Sequence, residues 1–124
     1  MLVSSIPSAH DVLSADEPLL TIPEFADRMG VVVTRVFHLL RERQLIAVNR
    51  DGVKYLPERF LAEDGHLVKF VPGVIALLSD GGYTDEEIIG YLFTDDDSLP
   101  GRPVDALHGH LAREVMRRAQ SMAI

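Results

Sequence analysis

Apolar residues recur every three or four positions in several stretches of the chain, a spacing that indicates short amphipathic helices. In the first stretch, Ile22 and Phe25 begin such a series. Thr21 and Glu24 have the spacing of a capping box, and a glycine such as Gly30 commonly ends a helix. The pattern predicts a helix that begins after Thr21 and ends at Gly30.

A second helical stretch follows Gly30 almost directly. Its apolar residues fall on one side of a helical wheel drawn at about 100° per residue. They are Val33, Val36, Leu39 and Leu40. The side chains of Thr34, His38 and Arg41 fall on the opposite side. The pattern predicts a helix with one buried face and one polar, partly basic outer face.

The hydrophobic pattern changes after this helix. Residues 45–48 and 53–56 are apolar and partly β-branched, which is typical of short strands. The Asp51-Gly52 pair between them is a strong signal for a hairpin turn. A helix, a tight turn, a second helix and a hairpin, in this order, form the layout of a winged helix-turn-helix domain.

The residues after Pro57 are predicted to be mainly helical. The segment LVKFVPGVIALLSDGG fits a short extended piece and a helix that ends at two glycines, and Thr84 with Glu87 forms a second capping box. The segment TDDDSLPGRPVD is a loop by composition. A final helix has an apolar side made of Leu111, Val115, Met116 and Ala119.

We therefore predict a mainly α protein with three parts. Residues 1–17 lack a sustained hydrophobic period and are expected to form a flexible N-terminal tail or a strap. Residues 18–60 are expected to form a winged helix-turn-helix domain with a two-stranded β-hairpin wing. Residues 61–124 are expected to form a helical C-terminal extension, whose last helix either pairs with its twin in a homodimer or packs internally.

Composition narrows the function classes. The 124 residues include no cysteine, which excludes a disulfide framework, a zinc ribbon and thiol catalysis. No signal peptide and no run of eighteen apolar residues is present, so we expect a soluble cytoplasmic protein without membrane contact.

Charge is unevenly distributed along the chain. The formal net charge is -7, and residues 61–100 hold nine acidic residues and one base. Residues 28–54 hold six bases and two acidic residues. Basic side chains bind nucleic acid by displacing counterions from phosphates, so this local patch is a candidate DNA-binding surface.

The basic patch lies on the predicted second helix and hairpin. Thr34, His38 and Arg41 would face base edges in the major groove, and the flanking arginines of the helix would meet phosphates. Arginine and lysine of the hairpin would act as wing residues. An alternative is an ordinary solvated helix, since arginine is a good helix former. The candidate DNA-binding residues are Thr34, Arg35, His38, Arg41, Arg43, Arg50 and Lys54.

No constellation in the sequence predicts catalysis or a metal site. The three consecutive acids at 95–97 lack the spacing of a calcium loop. His108 and His110 have no spaced third ligand nearby, and the glycines at 81–82 form no phosphate-binding run. We therefore predict a protein that is not an enzyme and needs no cofactor.

The segment TIPEFADRMGVVVTRVFHLLRERQLIAVNRDGVKYLP resembles the excisionase and MerR-type winged helix-turn-helix. Together, SIPSAHDVL, FVPGVIALLSDGGYTDEEIIGYLFT and RPVDALHGHLAREVMRRAQSMA resemble the small actinobacterial DNA-binding proteins that are substrates of a membrane Ser/Thr protein kinase. The resemblance implies double-stranded DNA as a partner and a role in transcription regulation. It also implies that phosphorylation of a disordered N-terminal tail lowers the affinity for DNA.

Two positions depart from that family's pattern. Val32 stands where related sequences often place a capping serine or threonine. No threonine precedes Thr21, so the phosphorylated threonine has no counterpart, and Ser4 and Ser5 are hydroxyl residues of the predicted tail. A Ser/Thr protein kinase is thus a partner by resemblance alone.

A second function class comes from GYLFTDDDSLPGRPVDAL, which resembles the toxin-binding C-terminal domain of Xre-type antitoxins. That resemblance implies a protein-interaction module whose C-terminal helices bind a protein partner. An exposed apolar patch within residues 72–119 would favour this alternative. A closed helical unit packed on the wing would favour a DNA-binding protein.

Overall fold

The computed structural model describes residues 7–124, so Ser4 and Ser5 lie outside the described residues. Six α-helices and four short strands are present in this range, with a 3₁₀ turn at Glu58–Phe60. In chain order the elements are β1 (Ala9–His10), β2 (Leu19–Thr21), α1 (Ile22–Met29), α2 (Val33–Arg41), β3 (Val48–Arg50), β4 (Val53–Pro57), α3 (Val71–Asp80), α4 (Asp85–Leu92), α5 (Pro103–Ala106) and α6 (Ala112–Met122). None of these helices is long and apolar enough to cross a bilayer.

The helix-turn-helix is set by local signals in the sequence. Thr21 Oγ1 accepts a hydrogen bond from Glu24 N at 3.2 Å, and the Glu24 carboxylate accepts one from Thr21 N at 2.8 Å. Gly30 ends α1 with a left-handed φ of 72°, and α2 begins three residues later. Phe25 of α1 and Val36 of α2 are fully buried. The capping hydrogen bonds, the stop at Gly30 and the buried side chains confirm the predicted pair of helices.

The predicted hairpin is part of a larger sheet. Asp51 and Gly52 have φ values of 53° and 82°, as a tight turn with two left-handed residues requires. The strand order is β1-β3-β4-β2, so the sheet has four strands where the sequence predicted two. The strand β2 pairs antiparallel with β4, and β1 pairs parallel with β3.

For the described part of residues 1–17 the structure shows a strap and not a flexible tail, the second of the two forms expected from the sequence. Ala9 is buried opposite Val48, and its backbone N–H donates to the carbonyl of Ala47 at 2.8 Å. The Glu17 carboxylate accepts a hydrogen bond from Arg102 at 2.5 Å. The segment is ordered because it fills the open edge of β3 and meets bases from distant parts of the chain. We call residues 9–17 the strap.

The C-terminal helices continue the same core. Helix α6 packs on α3, and α4 packs on both α3 and the strand β1. The rings of Phe60 and Phe93 lie 5.8 Å apart and join the 3₁₀ turn to the end of α4. Val115 and Ala119 of α6 are buried, so the last helix packs internally. The short helix α5 lies where the sequence predicted only a loop.

A tight turn at Gly65 lies between the winged helix-turn-helix part and the C-terminal helices, and it packs closely against α1. Gly65 has a φ of +89°, and a Cβ built on it would lie 2.3 Å from the carbonyl oxygen of Arg28. A side chain at position 65 would fit only if the backbone at Arg28 moved away from the backbone at Gly65. This close approach has no counterpart in the local sequence pattern.

We expect Gly65→Ala to lower the free energy of unfolding by about 2 kcal/mol, because it adds both backbone strain and a clash. Gly90→Ala is the matched control, since Gly90 lies within α4 and a Cβ there would meet nothing within 4 Å. It should raise the same quantity by about 0.5 to 1 kcal/mol. Urea denaturation measures both, and changes of the same sign would contradict the close packing at Gly65.

Candidate nucleic-acid interface

The outer face of α2 is open to solvent. Thr34, His38 and Arg41 are exposed, as the helical wheel predicted, while Val36 and Leu40 on the opposite face are fully buried. The C-terminal helices therefore leave this face uncovered. A helix with one face free and a hairpin beside it has the geometry needed to enter a groove.

Two arginines on this helix carry uncompensated positive charge. Arg35 and Arg41 are exposed, and neither makes an ion pair within residues 7–124. His38 lies between them, and its Nε2 is hydrogen-bonded to Glu42 at 2.9 Å. The strongest cationic groups on the open face are thus Arg35 and Arg41.

Arg43, another candidate residue, is bound to the C-terminal part of the chain. It follows α2 with a left-handed φ of 58°, and its Nη1 donates to Asp85 Oδ2 at 2.5 Å. Asp85 opens α4, where the helix dipole favours acidic residues. The neighbouring Glu86 accepts a hydrogen bond from the backbone N–H of His10 at 2.9 Å, which lowers the pKa of Glu86. Carboxylates therefore border the C-terminal end of α2.

Arg50 on the wing is bound to the strap. Its Nε donates to the carboxylate of Asp11, and its Nη2 donates to the carbonyl oxygen of Ser14 at 3.1 Å. Only 25% of the Arg50 side chain is exposed. The hydrogen bond from Arg50 holds the pKa of Asp11 below its ordinary value of 3.8. The arginine at the hairpin tip thus fastens the N-terminal segment.

Lys54 lies on the return strand of the hairpin. It pairs in register with Asn49 and is half-buried. The hairpin places it in the wing, as the sequence predicted, beside the turn at Asp51 and Gly52.

The remaining arginines near the strap form a structural cluster. Arg102 donates to Asp105 Oδ2 at 2.9 Å and also to Glu17, while Arg59 donates to Asp105 Oδ1 at 2.6 Å. Its two arginine partners, Arg102 foremost, lower the pKa of Asp105 to about 2. The cluster borders a cleft of about 800 Å³, and each arginine in the cleft is paired with a carboxylate. This arrangement ties the strap to α5.

The acidic and histidine groups noted in the sequence have local roles. Asp96 accepts hydrogen bonds from both the backbone and the hydroxyl of Ser98, at 2.9 and 2.7 Å. His108 is hydrogen-bonded to the carbonyl of Arg59 at 2.7 Å. Within residues 7–124, no group of three His, Asp or Glu side chains is placed to hold a metal ion.

One exposed residue next to this face was not among the candidate DNA-binding residues. Val32, the N-cap of α2, makes no side-chain capping hydrogen bond and is 70% exposed. The missing cap could be read from the sequence, but the exposure of the valine could not.

Two family models together match most of the chain. The model described as "DNA-binding protein Rv2175c, wHTH domain" matches residues 5–61. The model described as "Rv2175c C-terminal domain of unknown function" matches residues 68–123. The chain belongs to the Rv2175c family.

Comparison with known proteins agrees with this assignment. The DNA-binding protein Rv2175c of Mycobacterium tuberculosis (strain ATCC 25618 / H37Rv) is 47% identical over 133 residues, which span 98% of this chain and 91% of that protein. The NMR structure of Rv2175c matches with a TM-score of 0.86 and covers 97% of this chain and 90% of that one. The resemblance to small actinobacterial DNA-binding proteins is thereby confirmed, as is the mainly α winged helix-turn-helix fold.

We expect Arg50→Ala to return the pKa of Asp11 toward its ordinary value, because the substitution removes the main hydrogen bond to the carboxylate. A folded-state pKa below the unfolded value stabilises the protein above about pH 4, and this stability is lost as the pH falls through the lowered pKa. Carboxyl NMR titration measures the shift.

Asp64 is the internal control for this titration. The pKa of Asp64 is lowered by hydrogen bonds with His66, so it should not respond to the loss of Arg50. If Asp11 titrates identically in the natural chain and in Arg50→Ala, the ion pair between Asp11 and Arg50 is absent in solution.

Proposed function

We propose that this protein binds double-stranded DNA through the exposed face of α2 and acts as a transcriptional regulator. The observation that carries the proposal is the pair of uncompensated arginines, Arg35 and Arg41, on a helix whose outer face no residue within 7–124 covers. The name of the Mycobacterium tuberculosis relative and the shared winged helix-turn-helix domain support it.

The outer face of α2 supplies the groups for groove recognition. A helix fits the major groove, where arginine binds guanine edges and threonine contacts bases through its hydroxyl and methyl groups. In this proposal Thr34, His38 and Arg41 face the base edges, and Arg35 meets a phosphate. The side chains that face the bases make recognition sequence-specific, or semi-specific if only a few of them reach a base edge.

Arg43, Arg50 and Lys54 have secondary roles in this proposal. Arg43 and Arg50 already bind Asp85 and Asp11, so a phosphate must compete with a carboxylate to reach either of them. Lys54 on the wing contacts the neighbouring backbone of the duplex. Docking therefore begins at α2, and the hairpin adds its contacts afterwards.

The acidic C-terminal part restricts how DNA approaches. Residues 61–100 hold nine acidic residues and one base, which repel a duplex from most of that surface. This repulsion lowers non-specific affinity and leaves the α2 face as the favourable approach.

The protein-interaction alternative lacks the feature expected for it. Among the described residues, the exposed large hydrophobic side chains are Val12, Val32, Val53 and Ile124, and all four lie outside residues 72–119. The C-terminal helices close on themselves and on β1, which favours the DNA-binding proposal. A homodimer and a Ser/Thr protein kinase as partners remain predictions from the sequence.

We expect Arg35→Ala and Arg41→Ala each to weaken binding to duplex DNA. Arg35→Ala should also make the dependence of log affinity on log salt shallower by about 0.9, because one fewer phosphate is neutralised. Arg41→Ala, which removes a base contact, should lower the affinity with a smaller change in this slope. Fluorescence anisotropy across a salt series measures both effects. Arg113→Ala is the matched control, since it removes an exposed arginine from α6 with the same change in net charge. No binding at low salt, or an equal loss in the control, would overturn the proposal.

We expect Asp11→Asn to strengthen DNA binding severalfold, because it releases Arg50 from its carboxylate partner. The salt dependence should steepen by about 0.9, the contribution of one additional phosphate contact. Asp16→Asn is the matched control, since Asp16 lies on the same strap and is exposed.

An Arg50→Ala background separates local release from general charge. In that background Asp11→Asn should raise the affinity for DNA no more than Asp16→Asn does. Equal effects of the two substitutions in the natural background would show that Arg50 does not reach DNA.

A further inference from the structure

The N-terminal end of α2 carries a valine that local stability does not explain. Val32 is the N-cap residue, with φ of -73° and ψ of 153°, and its side chain is 70% exposed. Its neighbours Val31 and Val33 are half-buried and pack against the core. Only the middle residue of the three-valine run points into solvent.

Two of the other helices have a side-chain N-cap, and the N-cap residues of α3, α5 and α6, which lack one, are half-buried where Val32 is exposed. Helices α1 and α4 begin after Thr21 and Thr84, and both threonines form complete capping boxes. A serine or threonine at position 32 could likewise accept a hydrogen bond from the first turn of α2. The valine forgoes that bond and buries little of its own side chain. Departures from local rules of this kind are typical of functional positions.

Uncompensated positive charge is present in the first turn of α2 as well as at Arg41, its last residue. His38 and Arg43, at and beyond the opposite end, are each bound to a carboxylate. Arg35, in the first turn beside Val32, makes no ion pair within residues 7–124 and its backbone N–H donates to the carbonyl of Val32 at 3.0 Å. An incoming phosphate backbone is therefore attracted to the turn that Val32 opens.

We propose that Val32 is a specificity-determining residue that packs its methyl groups against the 5-methyl group of a thymine in the major groove. The inference rests on the proposed DNA binding. Recognition helices meet base edges with their N-terminal residues, and the thymine methyl is the apolar group that the major groove presents. A valine has no hydrogen-bonding group, so it distinguishes thymine by contact with this methyl.

Removal of single thymine methyl groups from the DNA tests the proposal. Duplexes bound by the natural chain are first selected from a random pool, and each thymine is then replaced singly by deoxyuridine, which lacks only the methyl group. At one thymine, or one in each half-site, the affinity of the natural chain should fall about fourfold, the effect of exposing one methyl-sized group. Val32→Ser should bind the thymine and deoxyuridine duplexes equally.

The serine variant also keeps the test independent of folding. Serine supplies the missing N-cap, so Val32→Ser should raise the Tm by a few degrees while it loses the preference for thymine. Val12→Ser is the matched control, because Val12 is an exposed valine on the strap. It should keep the natural preference.

The outcomes separate this proposal from the one on which it rests. Duplex binding by the natural chain that is insensitive to every deoxyuridine replacement overturns the role of Val32 alone. The role of Val32 is also overturned if Val32→Ser keeps the full preference for thymine over deoxyuridine, or if Val12→Ser loses it. No binding to any duplex at low salt overturns both proposals.

Discussion

The outer face of α2 depends on what its inner face buries. Val36 and Leu40 are fully enclosed, and Phe25 of the preceding helix is enclosed with them. Burial of each such side chain contributes about 1.5 to 3 kcal/mol, so the helix is fixed in rotation as well as in position. A rotation about its axis would expose this apolar stripe and bury arginine. The exposure of Arg35 and Arg41 is therefore a consequence of core packing.

Short-range signals in the sequence identified the elements of this domain correctly. The capping box at Thr21 and Glu24, the stop at Gly30 and the turn at Asp51 and Gly52 each act within four residues, so a local pattern reveals them. The edge strands β1 and β2 escaped prediction because two- and three-residue strands exist only through their pairing partners. The same holds for the one-turn helix α5.

Which arginines remain free could not be predicted, because tertiary contacts decide it. The acid that binds Arg43 lies 42 residues away in the sequence, and the one that binds Arg50 lies 39 away. Counting bases in residues 28–54 therefore overstates the charge available to a ligand. Within residues 7–124 the fold leaves positive charge on α2 and pairs Arg43 and Arg50 on either side with carboxylates, so α2 presents a narrow cationic face on an acidic protein.

The parallel pairing of β1 with β3 has a consequence for biosynthesis. The strap leaves the ribosome well before its partners: Ala9 needs Val48, and the backbone of His10 needs Glu86, 76 residues on. Contacts of such long sequence separation form slowly because a large loop must close first. The sheet can therefore form once residue 57 has been translated, but the part of β1 that α4 contacts stays exposed until α4 has been made.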